Sequence, residues 1–238
     1  MNRRTCLSSL GASVLGSLAG LSAVTESRRV DERSWILSLE SFRLRHAEQM
    51  AGLHSYLGGT FLPYLAQVHH GPKMFLEAIV APHTPQVLVI TACASFDEMI
   101  EIRKRVAAHP GIQRARTILE SGDSQILITA GDSLQFHDGP DCRRGGIFEL
   151  RTYHAPRWSD RPPAAVGAAF GRAGVNPILN ASAVGEHLPR FTYLVPFENL
   201  PARQEAWDKL DADSGWSGLE AKLTGASIYK LAPYSPLS

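Results

Sequence analysis

The sequence predicts an α+β protein made of two tandem ferredoxin-like halves, each β-α-β-β-α-β, that together form an α+β barrel within one chain. The first observation is that strand-like and helix-like segments follow in the same order on both sides of a polar linker at 133–145. The second is a constant offset: Ala-His-Pro-Gly-Ile at 108–112 overlays Ala-Asp-Ser-Gly-Trp at 212–216, 104 residues later. A repeat this long indicates domain duplication rather than a solenoid. An antiparallel sheet with helices on one face needs a second sheet on the other.

The first predicted domain, at 33–132, begins with an alternating strand at 35–44. A helical stretch at 46–67 follows, interrupted at Gly58-Gly59 and near Pro63. Two apolar runs at 73–81 and 86–94 then flank a Pro-rich turn, as in a hairpin. Ser95 with Glu98 three residues later predicts a capped helix start, and the last strand is placed at 125–130.

The second predicted domain, at 146–236, has the same order. The glycines that end the linker precede a strand at 146–154, and two prolines begin a helix at 162–173 with Gly174 as its C-cap. Strands at 178–186 and 190–197 follow. Asn199 is the predicted N-cap of a helix at 201–210, and a strand at 226–231 closes the domain.

The strand at 146–154 is the most informative segment for function. Side chains alternate along a strand, so Phe148, Leu150 and Thr152 share one face, and Glu149, Arg151 and Tyr153 share the other. We expect the first face to pack under helices and the second to point into the barrel. Tyr193 is a further candidate lining residue.

An offset of 111 residues places Glu40 at the position equivalent to Arg151. We hypothesise that Glu40 and Arg151 form an ion pair across the barrel, because an unpartnered charge there would be unfavourable. The alternative is that Arg151 binds a carboxylate or enolate ligand with Tyr153 as a donor.

Charge and cysteine content exclude several classes of protein. The 238 residues include 24 basic and 23 acidic side chains, a net charge of +1, so nothing indicates a nucleic-acid partner. Cys93 lies in an apolar run and is predicted to be buried, whereas Cys142 lies in the linker and could pair with it only in an oxidising compartment. The histidines lack the spacing of a metal site, so no metal is predicted.

The first 25 residues are predicted to be a signal peptide. Arg3-Arg4 precede a weakly apolar Gly/Ser/Ala-rich segment, which favours twin-arginine export to the periplasm or the exterior, with no membrane span after its removal. A mitochondrial transit peptide is the rival interpretation.

Several motifs of the second half resemble the NIPSNAP family: Phe-Glu-Leu-Arg-Thr-Tyr at 148–153, Pro-Arg-Phe-Thr-Tyr-Leu at 189–194, Phe-Glu-Asn-Leu at 197–200, the Ala-Trp at 206–207, Asp-Ala-Asp-Ser-Gly-Trp at 211–216, and the tail at 229–236. The resemblance covers 146–236 well and 35–130 by architecture alone. Leu210 stands where an aromatic residue is common, and Ser214-Gly215 replaces the usual Pro-Glu. The resemblance implies a dimeric α+β barrel type related in shape to cofactor-independent monooxygenases and haem-degrading enzymes.

These observations predict a protein that binds a small apolar or carboxylated ligand in the barrel. The candidate ligand-binding residues are Glu40, Glu149, Arg151, Tyr153 and Tyr193. Two alternatives stay open: a cofactor-independent monooxygenase or isomerase, which would use Arg151, Tyr153 and a histidine near the barrel mouth, and a protein-interaction module. No cofactor is predicted, although the resemblance leaves room for haem and for a homo-oligomer.

Overall fold

The computed structural model describes residues 34–115, 121–134, 146–158, 163–184 and 189–236. The predicted signal peptide, Cys142 and the greater part of the linker lie outside these residues, so those predictions stay predictions. Residues from Arg33 to Ser238 belong to one compact unit. No helix within the described ranges is long and apolar enough to cross a bilayer.

The first half contains strands β1 to β4 and the helices between them. The strands are β1 Ile36–Arg43, β2 Lys73–Val80, β3 Gln86–Cys93 and β4 Ser121–Leu134. The helices are α1 Met50–Tyr56, α2 Leu62–Val68, α3 Phe96–Ala108 and α4 Pro110–Ala115. The predicted interruption at Gly58-Gly59 is a π-helical turn, Leu57–Phe61, which joins α1 to α2 without a break. The Ser95 N-cap is confirmed, since its Oγ accepts from the backbone N–H of Glu98 at 3.1 Å.

The second half repeats this order. Its strands are β5 Ile147–His154, β6 Leu179–Ala183, β7 Arg190–Phe197 and β8 Lys222–Leu231. Its helices are α5 Ala164–Ala173, α6 Leu200–Asp211 and α7 Ser214–Ser217. Asn199 caps α6 as predicted, accepting from the backbone N–H of Ala202 at 2.9 Å. Gly174 ends α5 in the left-handed conformation with φ 74°, which glycine adopts without strain.

The eight antiparallel strands form a closed barrel in the order β1-β3-β2-β8-β5-β7-β6-β4. Each half contributes its fourth, first, third and second strands as neighbours. The halves meet where β2 pairs with β8 and where β4 pairs with β6. The mixed α+β class is therefore confirmed, and the barrel closes within a single chain. Whether the halves arose by duplication stays a prediction.

Three apolar clusters hold the fold together. One fills the barrel interior with side chains from all eight strands; its large members include Leu37, Leu39, Met74, Leu76, Ile90, Phe148, Leu179, Leu194 and Tyr229. The other two lie outside the barrel, between its wall and the helices of each half. Most strands are therefore covered on both faces, although β8 and the end of β2 keep exposed residues, and this burial is the main apolar contribution to folding.

Candidate functional site

The faces of β5 are the reverse of the prediction. Phe148 belongs to the barrel interior, and Leu150 packs against the same cluster. Tyr153 belongs to the cluster under the helices of the second half. The expectation that Glu149 and Arg151 point into the barrel is wrong. The physical reason is that both faces of β5 are covered by other side chains. The polarity of the residues therefore could not show which face points into the barrel.

Glu149 is the centre of a polar cluster between β5 and α6. Its side chain is fully buried. Its Oε1 accepts from Arg151 Nε at 2.9 Å and Arg203 Nη2 at 2.7 Å. Its Oε2 accepts from Arg203 Nε at 2.8 Å and from the indole N–H of Trp207. Four donors satisfy one buried carboxylate, which is the condition under which a buried charge is tolerated.

The pKa of Glu149 reflects this environment. Burial disfavours its charged form, but the hydrogen bonds from Arg203 and the charge of Arg151 outweigh burial and hold the pKa below its usual value. Burial raises the pKa of Tyr153, although Arg151 opposes that shift and its Nη1 donates to the tyrosine oxygen at 3.1 Å. The cluster is thus a saturated ion-pair network that ties α6 to the barrel wall.

The predicted pair between Arg151 and Glu40 is also wrong. Arg151 lies over the Trp207 ring with its guanidinium carbon 3.6 Å from the ring centroid. Glu40 instead forms an ion pair with Arg103 of α3 at 3.3 Å. Since Arg103 and Trp207 are 104 residues apart, Glu40 and Arg151 do occupy equivalent places, but each faces its own helix rather than the other half.

Tyr193 lies beside Tyr153 in the same outer cluster, with ring centroids 6.0 Å apart. It is buried, and burial raises the pKa of its phenol. Among the described residues its hydroxyl has no hydrogen-bond partner. The structure therefore brings Glu149, Arg151, Tyr153 and Tyr193 together under the helices of the second half, and places Glu40 elsewhere.

A second polar group lies at one end of the barrel and was missed by sequence reasoning. It consists of the interior-facing residue that ends or begins each of four strands: Arg43, Gln86, His154 and Arg190. Alternation from Leu39, Ile90, Leu150 and Leu194 places all four on the interior face. Register pairs Arg43 with Gln86 and His154 with Arg190. We name these four residues the polar rim.

The two pairs of the polar rim lie at the same end of the barrel. β8 runs antiparallel to both β2 and β5, so β2 and β5 point the same way. The turn from β2 to β3 and the end of β5 therefore lie together. The offsets found in the sequence also relate the pairs: Arg43 and His154 are 111 apart, and Gln86 and Arg190 are 104 apart. Those offsets were the signal that could have located the rim.

Among the buried atoms of the polar rim, Gln86 Oε1 and Arg190 Nε have no hydrogen-bond partner within the described residues. Gln86 is only 4% exposed. A buried polar atom that is left unpaired costs free energy comparable to its lost hydration. Each such atom therefore marks a place where a polar partner would be favourable.

Most of the interior-facing side chains just below the rim are small, namely Ser41, Ala78, Thr152, Ala181, Ala183, Thr192, Gly225 and Ser227. Leu88, which pairs with Ser41 and follows Gln86 on the interior face, is a large side chain at the same level. A Cβ added to Gly225 would meet only the Cβ of Thr152, at an ordinary 3.9 Å. The opposite end of the interior holds the large residues of the apolar cluster. The barrel is therefore filled by large side chains at one end and lined mainly by small ones at the other.

The histidines of the first half are held by other contacts. His54 bridges Tyr234, 3.0 Å from its Nδ1, and Glu77, 3.1 Å from its Nε2. His69 is buried, with its Nδ1 3.5 Å from Oε1 of Glu98. Within the described residues, no three His, Cys, Asp or Glu side chains form a group suited to a metal ion.

Cys93 is buried with a free thiol, as predicted for a small apolar residue. Burial and the nearby Glu98 raise the pKa of that thiol to about 12. A thiol with so high a pKa is almost wholly protonated near neutral pH and is a poor nucleophile.

The NIPSNAP family model matches residues 147–236. No curated protein matches the chain. Solved structures are similar over most of it: a heme-binding protein from Thermus thermophilus has a TM-score of 0.53 at 15% identity, covering 83% of this chain and 91% of that one. A putative chlorite dismutase has a TM-score of 0.57 at 13% identity, with coverage of 86% and 97%.

A variant of the chlorite dismutase from Candidatus Nitrospira defluvii has a TM-score of 0.56 at 9% identity, with coverage of 91% and 96%. At such identities these likenesses show the fold alone. They show that both halves of the chain, and not only the part matched by the family model, follow an architecture known from solved structures.

Proposed function

We propose that this chain, whose residues 147–236 match the NIPSNAP family model, binds a small molecule with an apolar body inside the barrel and that the molecule enters at the polar rim. The observation that carries the proposal is the taper of the interior. Large apolar side chains fill one end, and mainly small ones, together with Leu88, line the end that the rim surrounds. Ligand sites in proteins are typically apolar recesses with a few polar groups at defined points.

The size of the barrel supports the proposal. An eight-stranded barrel has an interior just wide enough to be filled by side chains or to hold one small ligand. In this chain the size of the interior side chains differs along the axis, because those just below the rim are mostly Ala, Ser, Thr and Gly with Leu88 beside them, whereas Leu, Met and Phe fill the far end. A ligand would therefore occupy only the half next to the rim.

Haem is suggested by the heme-binding structural neighbour, but the described residues of the second half do not fit it. The space under its helices is closed by ring contacts, such as Phe170–Tyr193 at 5.1 Å and Tyr153–Trp216 at 5.3 Å. No described residue of that cluster is His, Cys or Met, the usual axial ligands besides tyrosine. Its two tyrosines are buried in the packing. We therefore derive no chemistry through haem.

The proposal is tested by isothermal titration calorimetry with octanoate, which combines an apolar chain and a small head. The wild-type protein is expected to bind it. Gly225→Leu should weaken binding at least tenfold, because the new side chain extends into the space below the rim without a backbone clash. Gly171→Leu is the matched control: Gly171 is exposed on α5 with nothing within 4 Å, so binding should not change.

Thermal unfolding of each variant, followed by circular dichroism, separates lost binding from lost folding. If Gly225→Leu folds and still binds octanoate with wild-type affinity, the ligand does not lie below the rim and the proposal is wrong. Native mass spectrometry of the protein purified from its natural source would add the mass of any retained ligand.

A second candidate function is proton transfer on the same ligand, and the observation that favours it is His154 in the rim. Histidine is the usual general base near neutral pH. In this candidate His154 would remove a proton from a ligand held by Arg190, the residue paired with it in register. Hydrogen–deuterium exchange at the α-carbon of a bound ligand, measured by NMR, would be lost in His154→Gln. Equal exchange in both proteins would remove this candidate.

A further inference from the structure

Gln86 Oε1 and Arg190 Nε belong to residues on opposite walls of the barrel. In the closed order of eight strands, β3 and β7 are four strands apart in either direction, so they lie on opposite walls. Gln86 begins β3 and Arg190 begins β7. Both are on the interior face at the same end. A molecule that enters the barrel there passes between an amide and a guanidinium.

The chemistry of these two groups differs, and together they select a ligand. Arg190 Nε is a donor on a permanent cation, and it needs an acceptor, preferably anionic. Gln86 Oε1 is an acceptor, and it needs a donor. A simple anion would satisfy Arg190 but would leave Oε1 of Gln86, in its present orientation, without a donor. A ligand that satisfies both atoms therefore offers an acceptor on one side and a donor on the other.

The rest of the rim favours negative charge on the ligand. Arg43 and His154 are the other two members, so three of the four rim residues are of types that can carry positive charge. Gln86 and Arg43 are directly paired, as are Arg190 and His154. The ligand head is therefore expected to be anionic, with its donor group toward the wall formed by β3.

We propose, resting on the proposed function, that the polar rim recognises a carboxylate with a hydroxyl on the adjacent carbon, the head of a 2-hydroxy acid. The carboxylate accepts from Arg190, and the hydroxyl donates to Gln86. The chain of the ligand extends from this head toward the small residues below the rim. This assigns a substrate class to the barrel and a separate role to each of two residues that lie outside the saturated Glu149 cluster.

The test compares three ligands of equal chain length by calorimetry: 2-hydroxyoctanoate, octanoate and 1-octanol. We expect the wild-type protein to bind 2-hydroxyoctanoate about tenfold more tightly than octanoate, and octanoate about tenfold more tightly than 1-octanol. A hydrogen bond to a desolvated polar group is of this strength. Arg190→Gln should remove the preference for octanoate over 1-octanol. Gln86→Leu should remove the preference for 2-hydroxyoctanoate over octanoate and leave the other preference intact. Arg105→Gln, which changes an exposed arginine paired with Glu101, is the control and should alter neither.

The outcomes separate this inference from the proposed function. If octanoate binds and Gly225→Leu abolishes binding, but all three ligands bind equally, the barrel site stands and the head-group assignment is wrong. If the wild-type protein shows these preferences and both Arg190→Gln and Gln86→Leu keep them, other residues bind the head group of the ligand. The assignment is then again wrong. If Gly225→Leu leaves the affinity for octanoate unchanged, the proposed site in the barrel is wrong, and so is this inference.

Discussion

At the scale of single residues, Glu149 shows how a charged side chain can be singled out from the sequence and yet be assigned to the wrong face of its strand. The expected ion pair for Arg151 exists, but its partner is the neighbour two positions earlier on the same strand face, together with Arg203 from α6. Because Arg203 is 54 residues away in the chain, no local pattern connects it to β5. The ligand-contact role of these residues stays a prediction, and their geometry favours a structural one.

Glu149→Gln is expected to destabilise the protein strongly. The substitution leaves the guanidiniums of Arg151 and Arg203 in a buried site without their anion, a loss of about 3–5 kcal/mol in the free energy of unfolding. Urea unfolding followed by tryptophan fluorescence measures it. Glu205→Gln, which removes only the exposed pair with Lys209, is the control and should leave stability almost unchanged. Octanoate binding by folded Glu149→Gln should be unchanged, because the cluster lies outside the barrel.

His69 is expected to make stability depend on pH. Burial, helped by the positive charge of Lys73, lowers the pKa of its imidazole below 6.5. Between these two pKa values, the unfolded chain therefore binds a proton at His69 that the folded protein does not bind. The free energy of unfolding is therefore highest above pH 6.5. It falls as the pH drops from 6.5 toward the lower pKa of the folded protein, by at most about 1.4 kcal/mol per pH unit.

The measurement is the free energy of unfolding between pH 7.5 and pH 5 for the wild-type protein, His69→Asn and the control His83→Gln. His83 is exposed in the turn between β2 and β3. The His69 variant should show a shallower decrease, whatever its absolute stability, and the control should follow the wild type. Parallel curves for all three proteins would contradict the assignment.

At the scale of secondary-structure elements, turns and caps were predictable because their signals are local. Ser95, Asn199 and Gly174 end or begin helices as their chemistry predicts. The π-helical turn at Leu57–Phe61 was read only as an interruption. Its close contact explains why glycine is present: a Cβ on Gly58 would lie 2.9 Å from the ring of Tyr234, which comes from the far end of the chain.

Gly146 is the element-scale position that we expect to tolerate change least. It precedes β5, and a Cβ there would lie too close to the backbone oxygen of Glu198, which a side-chain rotation cannot relieve. Gly146→Ala should lower the free energy of unfolding by more than about 1 kcal/mol. Gly171→Ala on the exposed face of α5 is the matched control and should raise it by about 0.5–1 kcal/mol. Equal effects in urea unfolding would show that β5 can shift to admit the methyl group.

At the scale of the whole molecule, closure of the barrel joins the two halves. The interior faces of both four-stranded sheets are apolar, and each covers the other through the β2–β8 and β4–β6 seams. The two halves thus share the apolar interior of the barrel, although each has its own apolar cluster under its helices. Export and a homo-oligomer of the full chain stay predictions.

A fragment of residues 146–236 is expected to associate with itself rather than remain a monomer. Alone, it would expose Phe148, Leu179, Leu194 and their neighbours, which the first half now covers. A second copy could cover that face in the same way, because the strand order of the two halves is the same. Size-exclusion chromatography with light scattering measures the mass. A stable monomeric fragment would contradict the view that the barrel interior needs both sheets.

By itself the sequence determined the α+β class, the order of the elements, most of the caps and the resemblance of residues 146–236 to NIPSNAP proteins. These depend on periodicity, turn chemistry and short motifs, which act over a few residues. Only the tertiary structure decided which face of β5 points inward, since Phe148 and Tyr153 are both buried and polarity could not choose between their faces. It alone brought Gln86 and Arg190 to opposite walls of one barrel, because that position depends on strand register and closure between residues far apart in the chain.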